Sequence, residues 1–187
     1  MARSRSFRQR PPLDSRRLEE LALRYVGRYA TTRAKLRTYL ARKIRERRWS
    51  GPGEPELDRL VERFCELGYI DDAAYALAKS QALSSRGYGK RRLDEKLRLA
   101  GIDEEDGAAA RDHADAKAVE AALRFAERRR IGPFAASAAD PRKREKAIAA
   151  MIRAGHSFAL ARAIAEIRPG ELVDVDELRE QTEHGFG

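Results

Sequence analysis

Apolar residues recur along this chain at three- and four-residue spacings almost without interruption. Leu18, Leu21, Ala22, Tyr25, Val26 and Tyr29 fall on one helical face. Leu36, Tyr39, Leu40 and Ile44 predict a second helix, with Thr31 or Thr32 as its N-cap. The segment SGPGEP then breaks the pattern, and Leu57, Leu60, Val61, Phe64 and Cys65 predict a third, closed at Gly68 by the glycine C-cap logic. No stretch alternates apolar and polar residues as a half-buried strand would. The pattern predicts an all-α protein.

After Gly68 the sequence YIDD places two aspartates at the start of a new helix, where they match the partial positive charge of its N-terminus. That helix is expected to turn Tyr75, Ala78 and Ala82 inward and to end near Arg86. Leu93, Leu97 and Ala100 mark the next, stopped at Gly101, and Asp103 to Ala114 gives a short helix rich in acid and alanine. The cycle then returns. ALRF at Ala122–Phe125 echoes ALRY at Ala22–Tyr25, and Ile148, Met151 and Ile152 take the place of Leu36, Tyr39 and Leu40. AGH at Ala154–His156 resembles AGI at Ala100–Ile102, and Phe158, Leu160 and Ile164 close the last unit after the small-residue loop GPFAASAADP.

The expected organisation is therefore three divergent three-helix units, residues 18–68, 69–114 and 115–168. A disordered basic arm, 1–17, precedes them and an acidic tail, 169–187, follows. Each unit is too small to bury its apolar face alone, so neighbours stack into an elongated tandem array.

Composition changes this picture in one respect, the placing of charge. The chain has 187 residues, 37% of them charged, and a net charge of +9. Residues 1–50 hold 16 Lys/Arg against 4 Asp/Glu, and the remainder 23 against 26, so the positive potential is concentrated at one end. Such an asymmetry suits an anionic partner. One cysteine, Cys65, excludes an internal disulfide and fits a reducing compartment. No apolar run reaches the ~20 residues of a membrane span, and MARSRSFRQRPP lacks the apolar core of a secretory signal. The expectation is a cytoplasmic monomer with no membrane partner.

Catalytic and metal chemistry find little support. His113, His156 and His184 are scattered, with no second ligand at metal spacing, and Cys65 lies on an apolar stripe. Gly87 to Lys90 lacks the glycine spacing and the Ser/Thr of a nucleotide loop. Asp71 and Asp72 read as capping residues rather than paired catalytic carboxylates. No active site, metal or cofactor is expected.

The basic clusters remain. Arg33, Lys35 and Arg37 with Arg42, Lys43, Arg45, Arg47 and Arg48 lie on the second helix of unit one and its end. Arg86, Lys90, Arg91 and Arg92 enter the second helix of unit two. A solvated helix face is the ordinary meaning of such runs. Their equivalent places in successive units, and Gly87 and Gly89 just ahead of a helix N-terminus, favour contact with a phosphate backbone instead.

The stretches GYIDDAAYALA (Gly68–Ala78) and RGYGKRRLDEKLRLAGID (Arg86–Asp103) resemble the central signature of the RecX family, bacterial regulators of the RecA recombinase. The resemblance extends over the layout from about Leu18 to Ile167. It departs from the family at Tyr75, where Phe is common, at Lys90, where proline is frequent, in the GPFAASAADP insertion and in the acidic tail after Pro169. The resemblance implies tandem three-helix repeats in a curved molecule that lodges in the groove of a RecA filament on single-stranded DNA. It also implies lowered ATPase and strand-exchange activity of RecA, and no catalysis by the protein itself. Two other classes stay open on the residues alone: a helical DNA-binding or nucleoid-associated protein acting on DNA by itself, and a protein-interaction scaffold.

Overall fold

The computed structural model describes residues 11–183. Among these, ten α-helices follow one another, with a 3-10 turn at Gly132–Phe134 and an isolated bridge between Leu13 and Trp49 as the extended pairing. The all-α expectation holds. The chain divides into two compact bodies, one ending at Asp72 and the other starting at Ala73.

The first body contains α1 (Ser15–Val26), α2 (Arg33–Arg47) and α3 (Leu57–Glu66). Asp14 caps α1 by accepting from the Arg17 N–H, and Thr32 caps α2 by accepting from the Lys35 N–H, each satisfying a donor that the helix cannot. Leu18, Ala22, Leu36, Leu40, Val61 and Phe64 form the core, joined by Leu13 and Ile70.

Two boundaries differ from the expectation. Residues 11–17 are not a disordered arm. Leu13 is fully buried, its N–H donates to the Arg48 carbonyl at 2.9 Å, and its carbonyl accepts from the Ser50 N–H at 2.8 Å. A single leucine between Pro12 and Asp14 has no periodicity to announce it. Residues 1–10 of the expected arm lie outside the described residues. At the other end, Ile70 belongs to the first core and the Asp72 carboxylate, 3% exposed, accepts from the Arg33 backbone N–H at 3.0 Å and from Arg33 Nε at 3.2 Å. Asp72 thus serves the N-terminus of α2, whereas the sequence assigned it to its own helix, and unit one ends near residue 72 rather than 68.

The second body begins with α4 (Asp72–Ser85), α5 (Lys90–Ala100) and α6 (Glu104–Ala116). Leu93, Leu97 and Ala100 are buried as expected, with Ala76, Ile102, Ala110 and Ala114 completing a thin core. The inward face of α4 is a correction. Ala76, Ser80 and Ser84 are buried, while Ala78 and Ala82 are exposed and Tyr75 is half-buried. Hydrophobicity hides this stripe because two of its members are serines. The Ser80 hydroxyl is satisfied inside by donating to the Ala110 carbonyl at 2.7 Å.

Next come α7 (Ala118–Arg129), α8 (Pro141–Arg153) and α9 (Phe158–Glu166), around Phe125, Met151, Leu160 and Ile164. Pro133, inside the GPFAASAADP segment, is buried, and Asp140 with Pro141 starts α8 in the way such pairs usually do. Phe158, expected to close this unit, is 57% exposed at the first turn of α9. The expected acidic tail contains a tenth helix, α10 (Val175–Glu183), whose Leu178 is buried in the same core and whose Arg179 reaches Glu120 at 3.8 Å. Val173 and Val175 pack on that core beside Leu178, a short apolar set among acids that the sequence pattern did not mark as a helix. His184 lies outside the described residues.

Candidate nucleic-acid interface

The cations of α2 are less free than their sequence run implies. Arg33 is tied to the buried Asp72 through its Nε and its backbone N–H, while its side chain remains 41% exposed. The Arg47 guanidinium donates to the Pro11 carbonyl at 2.7 and 3.0 Å and holds the segment that carries Leu13. Arg37 forms a two-point pair with Asp58 in open solvent, and the hydrogen bond holds the Asp58 carboxyl below its ordinary pKa. Glu46 serves both Arg42, at 3.7 Å, and Lys43, at 2.5 Å. Water screens exposed pairs of this kind, so Arg37 and Arg42 can exchange a carboxylate for a phosphate at small cost, whereas the Lys43 side chain is only 15% exposed. Lys35 is half-buried, while Arg45 and Arg48 are exposed.

The glycine-rich loop between α4 and α5 faces protein, not solvent. Gly87 and Gly89 are buried. The Gly89 N–H donates to the Ala154 carbonyl at 3.0 Å and the Arg91 N–H to the Gly155 carbonyl at 3.2 Å. A Cβ at Gly89 would stand 2.4 Å from the Gly155 carbonyl oxygen, and one at Gly87, where φ is +73°, would stand 2.9 Å from the Phe125 nitrogen. Tyr88 between them packs into the core of unit three. The Gly89 and Arg91 N–H groups at the start of α5 are thus met by the turn between α8 and α9. They are not a phosphate cradle, and the absence of side chains serves helix-to-turn packing.

His156 completes this junction. It is buried on Phe125, with Nε2 3.1 Å from the Gly87 carbonyl and no partner for Nδ1. Nε2–H donates to that carbonyl, so a second proton would sit on the buried, unpaired Nδ1. Burial accordingly lowers the pKa, outweighing the opposing hydrogen bond to Gly87. A depressed histidine pKa leaves stability fully present above about pH 6.5 and removes it as pH falls from there toward the folded-state value. Urea midpoints from about pH 7.5 to about pH 5.5 should drop more for the parent than for His156→Gln. Equal drops would assign the acid sensitivity to other groups.

The side chains of the second cluster separate into two kinds. Lys90 pairs with Asp115 at 2.5 Å, and Arg92 pairs with Glu95 at 3.1 Å while its guanidinium lies 6.0 Å from the centre of the Tyr88 ring. Arg86 and Arg91 are exposed, and among the described residues neither has an ion-pair partner. The structure adds cations that the sequence reading left out. Arg124, Arg128, Arg129 and Arg130 are exposed along the last turns of α7 and just beyond. The Arg128 guanidinium comes within 3.1 Å of where a Gly87 Cβ would be, which brings it beside the loop that carries Arg86. The triple arginine at 128–130 was visible in the sequence, but only packing reveals that α7 meets this loop.

No protein-family model matches the chain. It is 33% identical over 162 residues to the regulatory protein RecX of Myxococcus xanthus, an alignment covering 81% of this chain and 86% of that protein. The chain belongs to the RecX family. The RecX of Thermobifida fusca is likewise 33% identical over 162 residues, covering 86% of this chain and 83% of the relative. The fold agrees with that of a crystallised RecX from Lactobacillus salivarius, with a TM-score of 0.57 at 18% identity over 90% of this chain and 96% of that one. RecX membership thus accounts for the signature at Gly68–Asp103. The geometry shows that much of this signature builds junctions: Ile70 and Asp72 within the first body, Gly87 to Gly89 within the second. No helix among the described residues is long and apolar enough to cross a membrane.

Proposed function

We propose that this RecX-family protein is a non-enzymatic regulator of the RecA recombinase. It lodges in the groove of the RecA filament on single-stranded DNA and lowers the ATPase and strand-exchange activity of RecA. Membership of a family whose curated relatives are named regulatory protein RecX carries the reading. The exposed cations support its DNA side. Arg86 and Arg91 have no ion-pair partner among the described residues, and Arg37 and Arg42 hold partners that phosphate can displace.

The test is RecA ATP hydrolysis on single-stranded DNA, titrated with this protein. Inhibition well below one molecule per RecA subunit is the expected result, since a filament-bound regulator acts on many subunits. The double variant Arg86→Ala/Arg91→Ala should stay folded and inhibit with affinity lower by about one to two decades, at roughly 1 kcal/mol per lost charged contact. No inhibition of RecA beside ordinary DNA binding would replace this reading with that of a protein acting on DNA alone.

A further inference from the structure

Three tyrosines of the first body gather beside its basic helix. The rings of Tyr25 and Tyr39 stack with centroids 4.2 Å apart and planes 17° apart, and Tyr29 tilts against Tyr25 at 5.4 Å. Tyr25 and Tyr39 are half-buried against the core, which explains them as packing residues. Tyr29 is not explained that way, because it is 50% exposed. Cations stand over the cluster: Arg28 lies 5.5 Å from the Tyr29 centroid, and Arg42 and Lys43 lie 5.8 and 5.7 Å from that of Tyr39. Arg28 has no carboxylate partner among the described residues, and Glu46 alone is shared by Arg42 and Lys43.

We propose that this cluster is a stacking platform for an unstacked base of single-stranded nucleic acid, with Tyr29 under the base and the exposed Arg28 and Arg42 on the neighbouring phosphates. An aromatic face offers stacking to any base, and a cation held beside the ring by its π-electrons is placed to meet the phosphate of the same or the next nucleotide. Arg28 leaves the Tyr29 face when a phosphate draws it, and the ring is then open. A duplex keeps its base faces inside the stack and gains only the charge. The platform therefore distinguishes single strands from duplex without reading sequence. It rests on the geometry of the first body and not on any action on RecA.

Fluorescence anisotropy of a labelled oligothymidine with the full-length protein, RecA absent, tests it. Tyr29→Ala should bind about tenfold more weakly, equal to about 1.4 kcal/mol, with an unchanged dependence on salt. Tyr29→Phe should bind like the parent, and Tyr29→Leu, which keeps bulk and removes the ring, should lose as much as Tyr29→Ala. Arg28→Ala should instead lower the salt slope by about one. A duplex of the same length should be bound equally by the parent and Tyr29→Ala. Should Tyr29→Ala unfold, Tyr29→Leu and Tyr29→Phe carry the comparison. The proposal is overturned if both ring-removing variants bind the single strand like the parent. Equal loss on duplex, or a parent that ignores the oligonucleotide, also overturns it. A parent that inhibits RecA yet ignores the oligonucleotide leaves the regulatory reading standing, and ring-dependent binding without RecA inhibition removes only that reading.

Discussion

Gly89→Val should destabilise the second body by on the order of 3 kcal/mol, or prevent it from closing. Gly89 has φ −87° and ψ 173°, an extended conformation that valine adopts readily, so the local backbone predicts no cost. The cost comes from across the fold. The first added carbon would meet the Gly155 carbonyl oxygen at 2.4 Å, the Gly155 carbonyl carbon at 2.5 Å and the His156 nitrogen at 2.7 Å. These are backbone atoms that no rotamer change can move. Separating them also breaks the hydrogen bonds from the Gly89 and Arg91 N–H groups to the Ala154 and Gly155 carbonyls. Gly53→Val provides the contrast, with φ +62° and nothing within 4 Å. It carries only the left-handed backbone penalty, about 1–2 kcal/mol. Denaturant midpoints for the two variants decide between them. A Gly89→Val protein as stable as the parent would mean that the turn after α8 does not press on this loop.

The second large effect belongs to Leu97→Ala. Leu97 is fully buried on α5 in a core whose other buried members are Leu93, Ile102, Ala76, Ala100, Ala110 and Ala114, with Tyr75 and Leu83 partly buried against it. Alanines cannot swing into a void, so the cavity stays open and the loss should fall at about 2–5 kcal/mol. Leu99→Ala on the same helix removes the same atoms from a side chain that is 65% exposed and should cost no more than about 0.5 kcal/mol. Urea unfolding of the pair isolates burial from helix propensity, since both changes raise propensity equally. Similar losses for the two would disprove the thin core.

Residues explain where sequence reading succeeded. Leu93, Leu97 and Ala100 recur at helical spacing and are buried, and Gly101 ends their helix in a left-handed conformation at φ +71°. Thr32, one of the two threonines expected at the start of α2, caps it by accepting from the Lys35 N–H. Failures share another character. Leu13 is buried with no apolar company on its own segment, Ser80 is a polar member of the stripe that holds Ala76 and Leu83, and Leu178 follows Val173 and Val175 among acids, so partners elsewhere decide their burial. Within the candidate interface, Arg33 and Arg86 look alike as letters in basic runs. One is bound to a buried aspartate 39 residues away and the other is exposed.

Legible before folding were the all-α architecture, most of the helices, the threonine cap of α2, the basic amino-terminal end and the RecX signature. All of these depend on spacings within a few residues or on residue identities in order, which a chain carries before it folds. Packing set what approaches the glycines, which helix Asp72 caps, which arginines are tied and where three tyrosines meet. Absence of a Cβ permits close approach equally by a phosphate and by a peptide carbonyl, and Gly89 faces the carbonyl of Gly155. His156 reaches its Gly87 partner across 69 residues of sequence. A hydrogen bond or ion pair is decided by distances of about 3 Å between groups that only packing brings together, so spacing along the chain cannot assign it.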